Sequence, residues 1–236
     1  MTFTLHYSPD SANLVVRMAL EEFGLPYVDQ LVDRSRGEQR DAAYRALNPQ
    51  GLLPVLIDPD QDEPLFETGA ILLHLTDYRN RLAGHDDRAT RGRLLKWLFY
   101  LSNTVHADLR ALFYTPRYTA DPAIIPALRQ GLLARLDQHF ALLDGELARR
   151  AEPFLLGKKP TVCDLYAAVC ARWPQLYPEG ATLEPDRIKR HTRFAQMLER
   201  LQVLPSVIRA CGREHIGGPA FIAPRLPAVD RASISG

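Results

Sequence analysis

Two short segments in the first third of the chain constrain its fold most. The first, Asn48–Leu56, is a turn that leads into an apolar strand beginning at Pro54. Proline has no backbone N–H, so it is excluded from the centre of a strand ladder but tolerated at a strand start, where the preceding bond is sometimes cis. The second segment places Glu67 and Thr68 at the start of an apolar helix, whose unpaired N–H groups bind carboxylates. Together the segments predict a site for a small zwitterionic peptide.

The elements predicted around these segments follow one another in the order of a thioredoxin-like domain. The patterns predict strands at 3–7, 27–33, 54–57 and 64–66, and helices at 12–24, 37–47 and 68–79. A helix that connects two parallel strands must pack against their sheet. In the first helix we expect Arg17 and Glu21 to pair on the polar side, and Gly24 to end the helix.

From about Asp87 onward the strand patterns stop and long helices follow. Helical patterns cover 88–115, 122–150, 190–202 and 203–213. Thr161 and Asp164 precede an apolar run as a capping box, which gives Asp164 a structural role. Packing of these helices predicts an all-α second domain.

The patterns therefore predict an α/β thioredoxin-like N-terminal domain, an all-α C-terminal domain and a tail. The predicted bounds are 1–82, 88–215 and 216–236. The tail is rich in glycine, proline and alanine, so it is either partly disordered or folded back with Phe221 as its anchor.

Composition excludes several classes of protein. The chain has 236 residues, of which 46% are hydrophobic, and its 29 basic and 28 acidic side chains give a net charge of +1. This balance argues against a nucleic-acid surface, no apolar run approaches the ~20 residues of a membrane span, and the start lacks signal-peptide features. Cys163, Cys170 and Cys211 have no metal-ligand spacing, so we expect buried core cysteines and no metal in a reducing cytoplasm.

The turn at Leu53-Pro54 and the helix start at Glu67-Thr68 resemble the glutathione-binding half of the cytosolic glutathione transferases. The resemblance extends over roughly residues 2–215 and is greatest to bacterial beta-like and serine-type members, with the class left open. It implies that the Leu53 main chain pairs with the cysteinyl unit of glutathione, that Glu67 holds its α-ammonium and that the Thr68 N–H meets its γ-glutamyl carboxylate. Arg36 either meets the glycine carboxylate or is a solvated loop charge.

The same resemblance places the group that activates the glutathione thiol just after the first strand. A thiol with a pKa of ~8.5 is mostly protonated at neutral pH, and a hydrogen-bond donor aimed at sulfur favours the thiolate. Ser11 is the best placed hydroxyl, with a helix N-cap as its alternative role. Tyr7 and Asn13 are further candidates, and backbone N–H groups alone are another. Ala12 occupies the position of the beta-class cysteine, which excludes a mixed disulfide through that residue.

A segment of the predicted helical domain resembles the beta-class stretch that places a polar residue and a histidine at the domain cleft. Here these residues are Asn103 and His106, three apart on a predicted helix face. His106 tunes the thiolate or polarises a substrate under this hypothesis, and a buried structural histidine is the alternative. Phe113, Tyr114 and Tyr118 are candidates for the apolar co-substrate pocket or for the core.

The resemblance implies a cytoplasmic detoxification enzyme, a homodimeric glutathione transferase. Its thiolate would attack a small apolar electrophile or reduce a peroxide, with glutathione as co-substrate and with no nucleic-acid or membrane partner. One alternative is a non-catalytic binding or regulatory protein with the same fold, and another is a glutathione-dependent isomerase, lyase or reductase. Affinity for glutathione separates the first alternative from the enzymes.

Overall fold

The computed structural model describes residues 2–83 and 88–228, which form two compact units. The first unit comprises the described residues of 1–86, 204–217 and 226–236. The second comprises those of 87–203 and 218–225.

Strands and helices alternate in the first part of the chain, and the described elements that follow are all helices. The elements of the first unit are β1 (Phe3–Tyr7), α1 (Asn13–Phe23), β2 (Tyr27–Leu31), α2 (Ala42–Leu47), β3 (Val55–Ile57) and α3 (Thr68–Ala83). The second unit contains α4 (Arg88–Tyr100), α5 (His106–Phe113), α6 (Ile125–Arg150), α7 (Val162–Arg172), α8 (Pro185–Arg190) and α9 (Thr192–Gln202). The chain then returns to the first unit with α10 (Pro205–Arg213).

The sheet has the order β2-β1-β3. β1 pairs with β2 in parallel and with β3 antiparallel, and Leu5 lies opposite both Asp29 and Leu56. This small mixed sheet with its crossover helix confirms the predicted thioredoxin-like class, and the helical second unit confirms the all-α part. The strand predicted at 64–66 is wrong in extent: only Leu65 pairs, with N–O distances of 2.8 and 2.9 Å to Leu56. The preceding Pro64 has no N–H with which to extend the ladder.

The predicted pair of Arg17 and Glu21 is wrong, because α10 packs on the face of α1 that the sequence marks as polar. Arg17 is fully buried and its Nη1 and Nε lie 2.5 Å from Asp29 and 2.9 Å from Glu214. Gly24 ends α1 in the left-handed conformation, as expected. Contacts therefore group α10 with the first unit, whereas the predicted domain bounds placed it with the helices; those bounds stay a prediction.

Several predicted helices are interrupted. The stretch at 37–47 consists of short 3-10 turns on either side of Gly37, whose φ is 77°, before α2 begins. The stretch at 88–115 contains a π-helical turn over Leu101–Val105. His191 leaves the helical conformation with a ψ of 76° and separates α8 from α9. These breaks depend on single backbone conformations, which an apolar period does not encode.

The capping box before α7 is present as predicted. Asp164 Oδ2 accepts from both the backbone N–H and the hydroxyl of Thr161, each at 2.8 Å, and its Oδ1 accepts from Leu155 N–H at 2.7 Å. Burial raises the pKa of Asp164 to about 6, which these donors oppose. Cys163 and Cys170 are buried in α7, so both are core residues as expected.

The first part of the tail folds back within the second unit. Phe221 is fully buried, and the buried Arg172 donates to the carbonyl oxygens of Ala220 and Arg225, both at 2.9 Å. The anchoring role of Phe221 is thus confirmed, while 229–236 lie outside the described residues. Within the ranges described, no helix is long and apolar enough to cross a membrane.

Candidate functional site

The turn before β3 is fixed by side chains of the first unit. Tyr44 Oη and Asn48 Nδ2 both donate to the Leu52 carbonyl oxygen at 2.8 Å. The Leu53-Pro54 bond is cis, and the Leu53 side chain packs against the buried cluster around Tyr44. The β1–β3 register begins at Val55, so the Leu53 main chain lies beyond the ladder. The turn therefore presents the Leu53 backbone from a rigid frame.

Gly51 gives this turn a conformation that other residues would strain. Its φ is +65°, and an added Cβ would lie 2.7 Å from the Gln39 carbonyl oxygen. Asn48 closes the turn by accepting from Gln50 N–H at 3.1 Å and Gly51 N–H at 2.9 Å. The turn at Gly51 is thus closely packed against the backbone of the 3-10 turn that contains Gln39.

Glu67 is held in a strained conformation at the start of α3. Its φ is +67°, a left-handed value that costs a non-glycine residue of order 1–3 kcal/mol and recurs at ligand sites. Gln50 Nε2 donates to Glu67 Oε1 at 2.9 Å, so the turn and the helix start are joined. Thr68 is buried at the first position of α3, where backbone N–H groups lack helical partners. The predicted pair and the Pro54 turn therefore meet through Gln50.

The loop from Ser8 to Asn13 is organised around the Asn13 amide. Asn13 Oδ1 accepts from Ser8 N–H at 3.0 Å and from the Ser11 hydroxyl, while Asn13 Nδ2 donates to Glu214 Oε1 at 2.7 Å. The N-cap of α1 is Ala12, and no side chain caps the helix there. The Ser11 hydroxyl is therefore used within the loop and not as the cap, and its role toward sulfur stays a prediction.

Tyr7, the second hydroxyl candidate, is engaged with Arg17. The Arg17 guanidinium lies 4.5 Å from the centroid of the Tyr7 ring. Partial burial and the charge of Asp29 raise the pKa of the Tyr7 phenol, which makes it a weaker hydrogen-bond donor. The Tyr7 ring thus packs against the Arg17 side chain of α1, and its role toward sulfur stays a prediction.

Glu214, which follows α10, is the centre of a buried polar network in the first unit. Its Oε2 accepts from Asp10 N–H at 2.8 Å, and its Oε1 accepts from Asn13 Nδ2 at 2.7 Å and Arg17 Nε at 2.9 Å. Burial raises its pKa to about 7, and the charge of Arg17 opposes that rise. The carboxylate therefore connects the end of α10 to the Ser11 loop.

Asn103 and His106 lie in the second unit and have different surroundings. Asn103 is exposed in the π-helical turn and accepts from the Ser102 hydroxyl at 3.0 Å. His106 is partly buried, with its Nδ1 2.7 Å from the Tyr166 hydroxyl and its ring 5.2 Å from Trp173. Burial, aided by Arg110, lowers the pKa of His106 to about 4, so the imidazole is neutral and accepts from Tyr166.

The three predicted pocket aromatics have different surroundings in the second unit, and their role in a co-substrate pocket stays a prediction. Phe113 makes edge contacts with Trp173 and Tyr177, at 6.4 and 6.3 Å between ring centroids. Tyr114 lies under the Arg117 guanidinium at 4.2 Å, and Tyr118 is 55% exposed. Phe113 thus extends the aromatic cluster that contains His106, and the other two face different neighbours.

Two further predictions concern charge and metal. Arg36 is exposed in a 3-10 turn of the first unit, so its guanidinium is open to a ligand or to water. Across 2–83 and 88–228, no group of three or more His, Cys, Asp or Glu side chains is placed to hold a metal ion.

Comparisons with known proteins identify the family. The family model "Glutathione S-transferase, N-terminal domain" matches residues 14–77, which include the Pro54 turn and Glu67-Thr68. Glutathione S-transferase GstB of Escherichia coli K12 is 37% identical over 139 residues, covering 57% of this chain and 65% of GstB. The chain belongs to the glutathione S-transferase family. The segment matched to GstB spans just under two thirds of the length of that protein.

Two other family comparisons extend over more of the chain. FtsZ-localized protein A of Caulobacter vibrioides is 34% identical over 174 residues, which is 70% of this chain and 74% of that protein. A glutathione transferase homolog from Sulfitobacter, solved with bound glutathione, superposes with a TM-score of 0.75 at 23% identity and covers 90% of this chain and 98% of that one. The structural likeness shows that the transferase fold continues through the helical unit.

Sequence reasoning missed two residues that organise the candidate site. Gln50 was part of the recognised turn, and its bond to Glu67 follows only from the folded arrangement. Glu214 carried no signal, because it reaches Asn13 across 201 positions of the chain. An acidic residue directly after a predicted C-terminal helix is otherwise typical of a solvated surface.

His106 gives the stability of this transferase-fold protein a dependence on pH. Its pKa is lowered from 6.5 to about 4, so the stability it contributes is present above pH 6.5 and is lost as pH falls toward 4. We expect His106→Asn, which keeps an acceptor for Tyr166 but does not titrate, to reduce the loss of unfolding free energy between pH 7 and pH 5 by about 2 kcal/mol. Urea unfolding at both pH values measures this difference. An equal loss in both proteins would contradict the assignment.

Proposed function

We propose that the protein binds glutathione, stabilises its thiolate and transfers it to a small apolar electrophile or uses it to reduce a peroxide. The observation that carries the proposal is the joined pair of backbone features in the first unit. Gln50 connects the Leu53-Pro54 turn to the strained Glu67, since its Nε2 donates to Glu67 Oε1 at 2.9 Å. Backbone strain of this kind recurs at ligand sites, and a carboxylate held at a φ of +67° supports a ligand there.

Each part of this arrangement suits one part of glutathione. The Leu53 backbone supplies strand-like hydrogen bonds to the cysteinyl unit, and the N-terminus of α3 at Thr68 supplies N–H groups to the γ-glutamyl carboxylate. Glu67 supplies a charge-assisted acceptor for the α-ammonium. Arg36 supplies a cation for the glycine carboxylate. Bound glutathione in the Sulfitobacter structure supports this choice of ligand.

Ser11 is the residue that we propose stabilises the thiolate. Its side chain is only partly buried, and the Asn13 oxygen that accepts its hydrogen also holds the Ser8 N–H at 3.0 Å. The Ser11 hydrogen can therefore turn to sulfur without leaving the Asn13 oxygen unpaired. The thiolate then forms a bond to an electrophilic carbon, which expels a leaving group such as a halide. Alternatively it attacks a peroxide oxygen and breaks the O–O bond, which releases the alcohol or water after proton transfer and leaves a sulfenic acid that a second glutathione converts to glutathione disulfide and water.

Calorimetry and turnover test this function in order. Titration of the full chain with glutathione is expected to give a Kd between micromolar and millimolar. With an aryl halide and an organic hydroperoxide as probes, Ser11→Ala is expected to lower kcat at least tenfold while the Kd for glutathione stays within about twofold. Absence of binding heat at millimolar glutathione would overturn the proposal.

A second candidate is a protein of this fold that acts by binding a partner. The name FtsZ-localized protein A, given to a relative at 34% identity, favours it. It is also favoured by the Ser11 hydroxyl donating to Asn13. Glutathione binding without turnover of either probe would support this candidate.

We further propose that the protein is a homodimer located in the cytoplasm. Size-exclusion chromatography with light scattering would test the homodimer.

A further inference from the structure

Glu214 touches the candidate thiol-activating loop through two of its residues. The carboxylate is fully buried and accepts from Asp10 N–H at 2.8 Å and from Asn13 Nδ2 at 2.7 Å. It lies one residue beyond α10, on a segment that packs against α1 in the first unit. Neither residue of the loop is adjacent to it in sequence, so this contact is made by tertiary packing alone.

We propose that Glu214 is a positioning residue for Ser11, acting through the amide of Asn13. The inference rests on the proposed function, in which Ser11 stabilises the glutathione thiolate. The Asn13 oxygen faces the Ser11 hydroxyl in the structure, and Glu214 determines that orientation.

The orientation follows from which groups donate and which accept. An ionised carboxylate only accepts hydrogen bonds, and a backbone N–H only donates. Asn13 must therefore turn its NH2 toward Glu214 and its oxygen toward the Ser8 N–H, 3.0 Å away. The Ser11 hydroxyl meets that same oxygen. With this acceptor fixed, the Ser11 hydroxyl has one resting position, from which its hydrogen turns to bound sulfur while the Ser8 N–H keeps the Asn13 oxygen paired.

Glu214 also holds the backbone of the loop. Asp10 has a φ of +54°, a left-handed conformation that a non-glycine residue keeps only when its surroundings fix it. Its N–H is the donor to Glu214 Oε2. The third contact, from Arg17 Nε at 2.9 Å, favours the ionised carboxylate against the effect of burial, and the ionised form accepts from every donor.

Glu214→Gln tests the orientation because it replaces one acceptor oxygen by a donor of similar size. The amide side chain of this variant is unable to accept from Asp10, Asn13 and Arg17 together, so at least one of these donors loses its acceptor and the loop at 8–13 loses part of its support. The experiment compares the full-length wild type with Glu214→Gln, Ser11→Ala and the double variant. Thiolate absorbance of bound glutathione across pH gives the thiol pKa, and amide hydrogen exchange gives the order of the loop at 8–13.

We expect Glu214→Gln and Ser11→Ala each to raise the pKa of the bound thiol by about 1 unit, and the double variant to raise it no further. Exchange over 8–13 is expected to become at least tenfold faster in Glu214→Gln, with 64–72 unchanged. Ser206→Ala is the matched control, because it removes a contact between α10 and Glu22 of α1 without touching the loop. It is expected to leave both readouts as in the wild type.

If the two substitutions act additively, this inference is overturned and the proposed function stands. The same holds if the wild type lowers the thiol pKa below that of free glutathione and Glu214→Gln lowers it equally. A wild type that binds no glutathione, or leaves its thiol at the free value, would overturn both. If Glu214→Gln does not fold, Glu214→Asp decides by the same readouts. It retains both acceptor oxygens on a shorter side chain, so we expect the thiol pKa to rise by less than the rise given above for Glu214→Gln. No rise would overturn the inference.

Discussion

Glu67→Ala is expected to weaken glutathione binding at least tenfold, which corresponds to about 1.4 kcal/mol or more. The side chain is exposed, its Oε1 accepts from Gln50 at 2.9 Å, and a carboxylate remains able to accept from an ammonium group. Calorimetric titration of wild type and variant with glutathione measures the change. Glu63→Ala is the matched control, since Glu63 is an exposed acid in the loop just before the site.

Glu67→Gly separates the ligand role of this residue from its role in the fold. At a φ of +67° glycine relieves the strain that a side chain causes, so we expect the free energy of unfolding to rise by about 1 kcal/mol. Binding is expected to fall as far as in Glu67→Ala. Such a gain in stability with a loss of binding is the signature of a position strained for a ligand. Unchanged affinity in both variants would remove Glu67 from the site.

Arg17→Met is expected to lower the free energy of unfolding by about 3–5 kcal/mol, measured by urea unfolding at pH 7. Arg17 is fully buried and lies within 2.5 Å of Asp29 and 2.9 Å of Glu214, which is itself fully buried. Removing the cation leaves the Glu214 carboxylate without its charged partner in a site where burial already raises its pKa to about 7. Without Arg17 the buried Glu214 is either an unpaired charge or has to take up a proton, and the penalty is the cost of that change more than a lost contact.

Two comparisons separate this cause from general loss of packing. Arg213→Met removes an arginine that lies 3.4 Å from Asp29 but is 46% exposed, so a loss of less than about 1 kcal/mol is expected. Adding Glu214→Gln to Arg17→Met is expected to recover about 2 kcal/mol, because the orphaned charge disappears. Strictly additive losses in the double variant would show that the two side chains act independently.

The parts of the fold and site that the sequence predicts are those built from neighbouring residues. The Leu53-Pro54 turn and the Glu67-Thr68 helix start each lie within one short segment, and each contains the proline or polar residue that determines its conformation. The capping box at Thr161 is of the same kind, since its partners are three positions apart. Local rules of this sort suffice for such elements.

The parts that sequence reasoning missed depend on distant segments. The spacing of Arg17 and Glu21 fits a surface pair, but α10 covers that face and brings a partner 197 positions away. Strand 64–66 was predicted from apolar character, whereas Pro64 limits its pairing to Leu65. Each miss is a case in which tertiary packing or one backbone position overrides periodicity.

The division of the first unit between both ends of the chain has a consequence for its synthesis. Asn13 and Glu214 are 201 positions apart, so at 5–20 residues per second a ribosome needs roughly 10–40 s to add the second after the first. For most of that interval the nascent chain already contains β1, α1 and the Leu53-Pro54 turn, but Arg17 has no Glu214. The loop at 8–13 is therefore completed only after translation of α10, so under the proposed function a growing polypeptide lacks thiol chemistry until its helical unit has been made.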